Sequence, residues 1–123
     1  MTQPAPKTGR IWNVIDYIHG NVAFATMIGT YGQPSGGPAS PALDNLSVHY
    51  WHLKEIPDEQ TPHKQDELYY VLEGAGTVTV SGVEQPLKSG DLLFVPRCAE
   101  HRFTDFEEEG LHLLVFFSPD FTG

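Results

Sequence analysis

The sequence predicts an all-β fold in which short antiparallel strands close into a barrel or jelly roll. Twelve glycines and ten prolines punctuate 123 residues, a density that suits many strands and turns better than helices. From Leu46 onward, short apolar runs recur between turn signals, with no helical segment separating them. That arrangement favours antiparallel pairing, and closure removes most of the edges that so many strands would otherwise expose.

Residues 1–10 read as a flexible N-terminus and 11–123 as one barrel domain, a length that can bury a single core. Met1 to Lys7 has no apolar h-region, and no later stretch reaches the length of about 18 apolar residues that a membrane span requires. Cys98 is the only cysteine, which rules out an intrachain disulfide and fits a cytoplasmic protein. Sixteen acidic against seven basic residues leave a formal charge of -9. No basic face is available for a nucleic acid or an anionic membrane, so neither is expected as a partner.

Ile11 to Ile18 is apolar at both helical and strand spacings and is read as a strand. His19-Gly20-Asn21 reads as a turn, followed by an edge strand carrying Val22, Phe24, Thr26 and Ile28. Gly32 to Asn45, rich in Gly, Pro and Ser, reads as a long loop of the kind that serves as a lid or a dimer contact. Leu46 to Leu53 is the next strand. Its His49 and His52 lie three residues apart and therefore point to opposite faces, so at most one of them looks into a barrel.

Lys54 to Gln60 reads as a polar turn. Further strands are predicted at Glu67 to Leu72, Thr77 to Val80, Glu84 to Leu87, Asp91 to Val95, His101 to Thr104 and Leu111 to Phe117, with Ser81-Gly82 as a hairpin turn. Asp105, Glu107, Glu108 and Glu109 lack the spaced oxygen ligands of a calcium loop and read as a solvated loop.

Two stretches carry the chemistry. In Thr61 to Gly74, His63 and Glu67 stand four residues apart and run into an apolar strand that ends at a glycine. In Gly90 to His101, a Gly-Asp turn opens a second apolar strand, Pro96 closes it and His101 follows. Strand alternation puts Tyr69 and Val71 on the face of Glu67, and Phe103 on the face of His101. Thr61, Gln65, Tyr69 and Phe103 are thus expected to line a pocket around His63, Glu67 and His101. Two imidazoles and a carboxylate form the ligand set of non-haem iron oxygenases, and the same set suits Zn, Mn, Ni or Co.

Together these stretches resemble the two motifs of the cupin superfamily over roughly Leu46 to Phe117. His63 falls on the second histidine of the first motif, Glu67 on its glutamate and Gly74 on its final glycine. Gly90, Pro96 and His101 fall on the second motif. The chain departs from the pattern in lacking one imidazole. Counting back from Glu67 places Thr61 where the first histidine stands, whereas taking His63 as the first leaves Gln65 as the second. Cys98 replaces the glycine after the proline, and Asp105 replaces the asparagine.

The resemblance implies a double-stranded β-helix barrel with a mononuclear divalent metal on His63, Glu67 and His101, open to a small oxygen-bearing ligand. Cupins include dioxygenases, isomerases, decarboxylases, storage proteins and regulatory domains. An oxygenase or isomerase is the first expectation; a non-catalytic ligand-binding or sensor module, or a metal-free barrel, is the alternative. Gln65, or whichever of His49, His52 and His112 faces inward, is the candidate fourth ligand. Cys98 is expected as a buried, inert thiol. Small cupins commonly pair through their sheets, so a homodimer is expected, with the apolar Ile11 to Ile28 segment as the contact.

Overall fold

The computed structural model describes residues 10–31, 41–55 and 62–119. Within them a short helix, α1 (Val14–His19), precedes eight strands: β1 (Phe24–Ile28), β2 (Ser47–Leu53), β3 (Asp66–Glu73), β4 (Ala75–Val80), β5 (Val83–Lys88), β6 (Leu92–Val95), β7 (His101–Phe106) and β8 (Leu111–Ser118). All pair antiparallel, in a five-stranded sheet ordered β1-β2-β8-β3-β6 and a three-stranded sheet ordered β5-β4-β7. The all-β jelly-roll expectation holds.

Alternation along the strands builds the core. Tyr69 and Val71 on β3, and Leu111, Leu113, Val115 and Phe117 on β8, are buried and meet Phe103 of β7 and Val78 of β4 from the other sheet. Tyr69 and Phe103 meet edge to face across the two sheets, with centroids 5.3 Å apart. The β4–β5 hairpin turns at Ser81 and Gly82, both at positive φ (48° and 82°), as a tight turn between right-twisted strands requires.

The opposite face of β2 and β8 is covered by the N-terminal segment, where one expectation is corrected. Ile11 to Ile18 is not a strand; Val14–His19 is helical. Asn13 caps the helix by accepting the Ile15 N–H at 3.0 Å, Asp16 sits in the first turn, and the Gly20 N–H closes the end on the Asp16 carbonyl at 2.8 Å. Val14, Tyr17 and Ile18 fall at helical spacing and pack on Val48, Tyr50 and Met27, whereas Ile15 on the far side is half exposed. The edge strand expected after the turn is β1, paired with β2 alone. Residues 32–40 of the predicted long loop and 56–60 of the polar turn lie outside the described residues.

Candidate metal centre

His63 stands just before β3, Glu67 projects from β3, and His101 opens β7, so the site draws one residue from each sheet and one from the β2–β3 connection within the five-stranded sheet. Their ligand atoms lie within 4.8 Å of one another, the sole such group of three metal-type donors among the described residues. Glu67 is 1% exposed and His101 2%. His63, with a side chain 14% exposed, forms the more open side of the cluster.

The carboxylate is held by its outer oxygen. Tyr69 donates its hydroxyl to Glu67 Oε1 at 2.7 Å, while Oε2 sits 3.0 Å from His63 Nδ1 and 3.4 Å from His101 Nε2. His101 is oriented in a similar way. Its Nδ1–H donates to the Ala99 carbonyl at 3.0 Å, a partner that can only accept, which leaves the Nε2 lone pair facing the cluster. Both residues thus have the outer partners that metal-ligating side chains need, and the donor set fits a divalent transition metal.

Two further contacts, invisible to strand periodicity, tie the halves of the site together. The Arg97 guanidinium and backbone N–H reach Asp66, the neighbour of Glu67, at 3.1 and 2.9 Å. Hydrogen bonding from Arg97 holds the Asp66 carboxyl below the usual carboxylate range. The Cys98 N–H donates to the His63 carbonyl at 2.7 Å. Cys98 itself corrects an expectation: the thiol is exposed, not buried. It occupies a surface turn at a φ of 65°, the left-handed conformation for which glycine is suited, so its side chain is turned out of the core.

The candidate fourth ligands separate cleanly. Gln65 is buried immediately before β3, Tyr69 and Phe103 are buried in the core, and Thr61 lies outside the described residues. His49 faces inward and His52 does not, as the alternation required. Yet His49 is engaged at both nitrogens, Nδ1 with Thr26 Oγ1 at 2.9 Å and Nε2 with Ser47 Oγ at 2.8 Å. His112 lies on the outer face, where its Nδ1 pairs with the buried Tyr50 hydroxyl at 2.5 Å. Neither joins the trio of His63, Glu67 and His101.

Burial pushes His49 down from 6.5 to about 4. A depressed imidazole contributes stability that is complete above the unfolded value of 6.5 and is lost as pH falls toward 4, because the unfolded chain takes up the proton first. We expect metal-free protein to lose on the order of 3 kcal/mol of stability across that window through this residue alone. Urea unfolding of the wild type and of His49→Gln at both ends of the window checks it. An equally steep loss in the variant would remove His49 as the cause.

The profile of the cupin domain family matches residues 51–117, more than half of the chain. The chain belongs to that family. A relative from Streptomyces coelicolor, described only as an uncharacterized protein, is 37% identical over 76 residues, which cover 61% of this chain and 71% of its own. Among solved structures, an RmlC-like cupin from Shewanella frigidimarina is 26% identical with a TM-score of 0.52, covering 64% of this cupin and 70% of that one. Bacillus subtilis oxalate decarboxylase, solved in a study of its Mn(II) centres, is 27% identical with a TM-score of 0.56. It covers 65% of this chain, which spans only 22% of that enzyme.

Proposed function

We propose that this cupin binds a divalent metal on His63, Glu67 and His101 and receives a small oxygen-bearing organic ligand beside it. The observation that carries this reading is the convergence of three donors within 4.8 Å in the barrel interior, two of them oriented by Tyr69 and Ala99. The likeness to a decarboxylase with Mn(II) centres supports it. A bound ion supplies Lewis-acid polarisation of the ligand or, if it is iron, O2 activation. The chain supplies the rest. Tyr69, 2.7 Å from Glu67 Oε1 and 3.4 Å from His101 Nε2, is placed to hand a proton to a ligand or take one from it, and Phe103 and Phe117 exclude water on the apolar side. These residues suit an oxygenase or isomerase acting on a small hydroxy- or carboxy-bearing molecule. A non-catalytic ligand-binding role would use the same pocket.

The test is to load the protein with Co(II) and add glycolate, a two-oxygen probe. Visible bands that appear with Co(II) and then shift saturably with glycolate support an open site. Co(II) bands that glycolate leaves unmoved indicate a closed structural site, and no Co(II) uptake leaves a metal-free barrel. Tyr69→Phe should weaken metal binding by about 10–100-fold, as loss of an outer partner does, and at saturating metal should still lose whatever turnover the wild type shows.

We also propose that the chain forms a homodimer. Leu68 and Tyr70 of β3 face Phe94 and Leu92 of the edge strand β6 in register, and all four side chains are exposed on the outer side of the sheet, as are Ile11 and Ile15. We expect light scattering to give a dimer mass at micromolar concentration, reduced to a monomer by Phe94→Asp. A wild-type monomer would end this idea.

A further inference from the structure

The outer face of the five-stranded sheet carries a second group of titratable side chains, on the side away from the metal trio. His52 of β2 and His112 of β8 are direct cross-strand partners, and their rings stack with centroids 3.9 Å apart at 17°. Glu73 of β3 pairs with His112 from the other side. The three line an open hollow of about 590 Å³, together with Ile18 and His19 of α1, Lys54 after β2, and Glu108 and Glu109 of the turn before β8. A shared metal ion is not indicated, since the interior trio is the only set of three donors that converges among the described residues.

The stack is anchored at both ends. His52 Nε2–H donates to the Glu109 carbonyl at 2.7 Å and so holds the Glu107–Gly110 turn, which is closed by the Gly110 N–H on the Glu107 carbonyl at 2.8 Å. His112 pairs with the Tyr50 hydroxyl, and the fully buried Tyr50 ring stacks on Tyr17 of α1 at 5.5 Å. A continuous line of contacts thus runs from α1 through Tyr50, His112 and His52 to the turn. Neutral imidazoles can stack in this way. Two imidazoliums at this separation repel, and charging His112 also forces a reorganisation of its bond to Tyr50.

We propose that the His52–His112 stack is an acid-sensitive latch: proton uptake by the pair releases α1 and the Glu107–Gly110 turn from the outer sheet face, while the barrel stays closed. The charges around it set the direction. Burial and then His52 hold His112 below its ordinary 6.5, with Lys54 acting the same way and Glu73 pulling against them. Glu108, Glu109 and His19 also line the hollow. The latched state therefore disfavours the proton more than the released state does. Latching is complete above 6.5 and weakens as the pH falls below it.

The experiment follows backbone amides and the Trp12 indole of the full chain by NMR from about pH 7.5 to about pH 5. Trp12 packs in the same outer cluster as α1 and reports on it. In the wild type, we expect Trp12 and α1 signals to move with a midpoint below 6.5 and α1 protection factors to drop about tenfold, with β3 and β8 protection unchanged. His52→Gln keeps a donor for the Glu109 carbonyl but cannot take up a proton, and it should abolish the response; His112→Gln should do the same. His52 is only partly buried, so its variant decides the matter even if His112→Gln fails to fold. Three results would each overturn the proposal: no response in the wild type, an unchanged response in His52→Gln, or loss of α1 and barrel protection in one step.

Discussion

His101→Ala should abolish stoichiometric binding of divalent metal while leaving the barrel folded. His101 supplies one of the three donors that converge among the described residues, and its Nε2 is aimed at the cluster by the Nδ1–H bond to Ala99. Loss of an outer partner alone typically costs about 10–100-fold in metal affinity, so loss of a ligand should cost more than about a hundredfold. Affinity should also fall at acid pH in the wild type, since an imidazole must be neutral to ligate. The paired control is His49→Gln. His49 is also an interior histidine, but both of its nitrogens are engaged by Thr26 and Ser47, so its replacement should leave affinity within about threefold. Elemental analysis of untagged, reconstituted protein and competition against a chelator measure both. Metal content below about a tenth of an equivalent in the wild type would sink the metal centre altogether. Equal losses in the two variants would show that the interior histidines act through the fold and not as ligands.

Much of this site is legible in the sequence because period-two alternation is a strict geometric rule. Once Glu67 faces inward, Tyr69 and Val71 must follow, and both are buried. The same rule divides His49 from His52, one buried in the interior and the other stacked on the outer face. At the N-terminal segment two spacing rules compete. The residues from Ile11 to Ile18 satisfy both spacings, and the caps at Asn13 and Gly20 decide for a helix over Val14–His19. Other features depend on the register between distant strands, which local pattern does not encode. The Asp66–Arg97 clamp, the Tyr50–His112 pair and the engagement of His49 by Thr26 all join residues more than twenty positions apart. A soft, apolar side chain suggests burial for Cys98, whereas it stands exposed on a turn at positive φ.

A pair of glycines offers a way to separate backbone strain from steric overlap in this barrel. Gly110 and Gly82 adopt nearly the same left-handed φ, 80° and 82°. An L-residue pays about 1–2 kcal/mol for that conformation at either position. Their surroundings differ completely. A Cβ on Gly82, at the tip of the β4–β5 hairpin, meets nothing within 4 Å, whereas one on Gly110 would lie 2.2 Å from the Leu53 carbonyl oxygen and 3.1 Å from its carbon. Leu53 ends β2 and pairs with Leu111 of β8, so relieving the overlap means shifting paired backbone, not rotating a side chain. That overpacking adds about 1–3 kcal/mol on top of the strain. Gly82→Ala should therefore destabilise by about 1–2 kcal/mol, and Gly110→Ala by about 2–5 kcal/mol. Urea denaturation midpoints at neutral pH give both values. Equal losses would mean that the β2–β8 junction yields easily and that only the φ requirement keeps glycine at position 110.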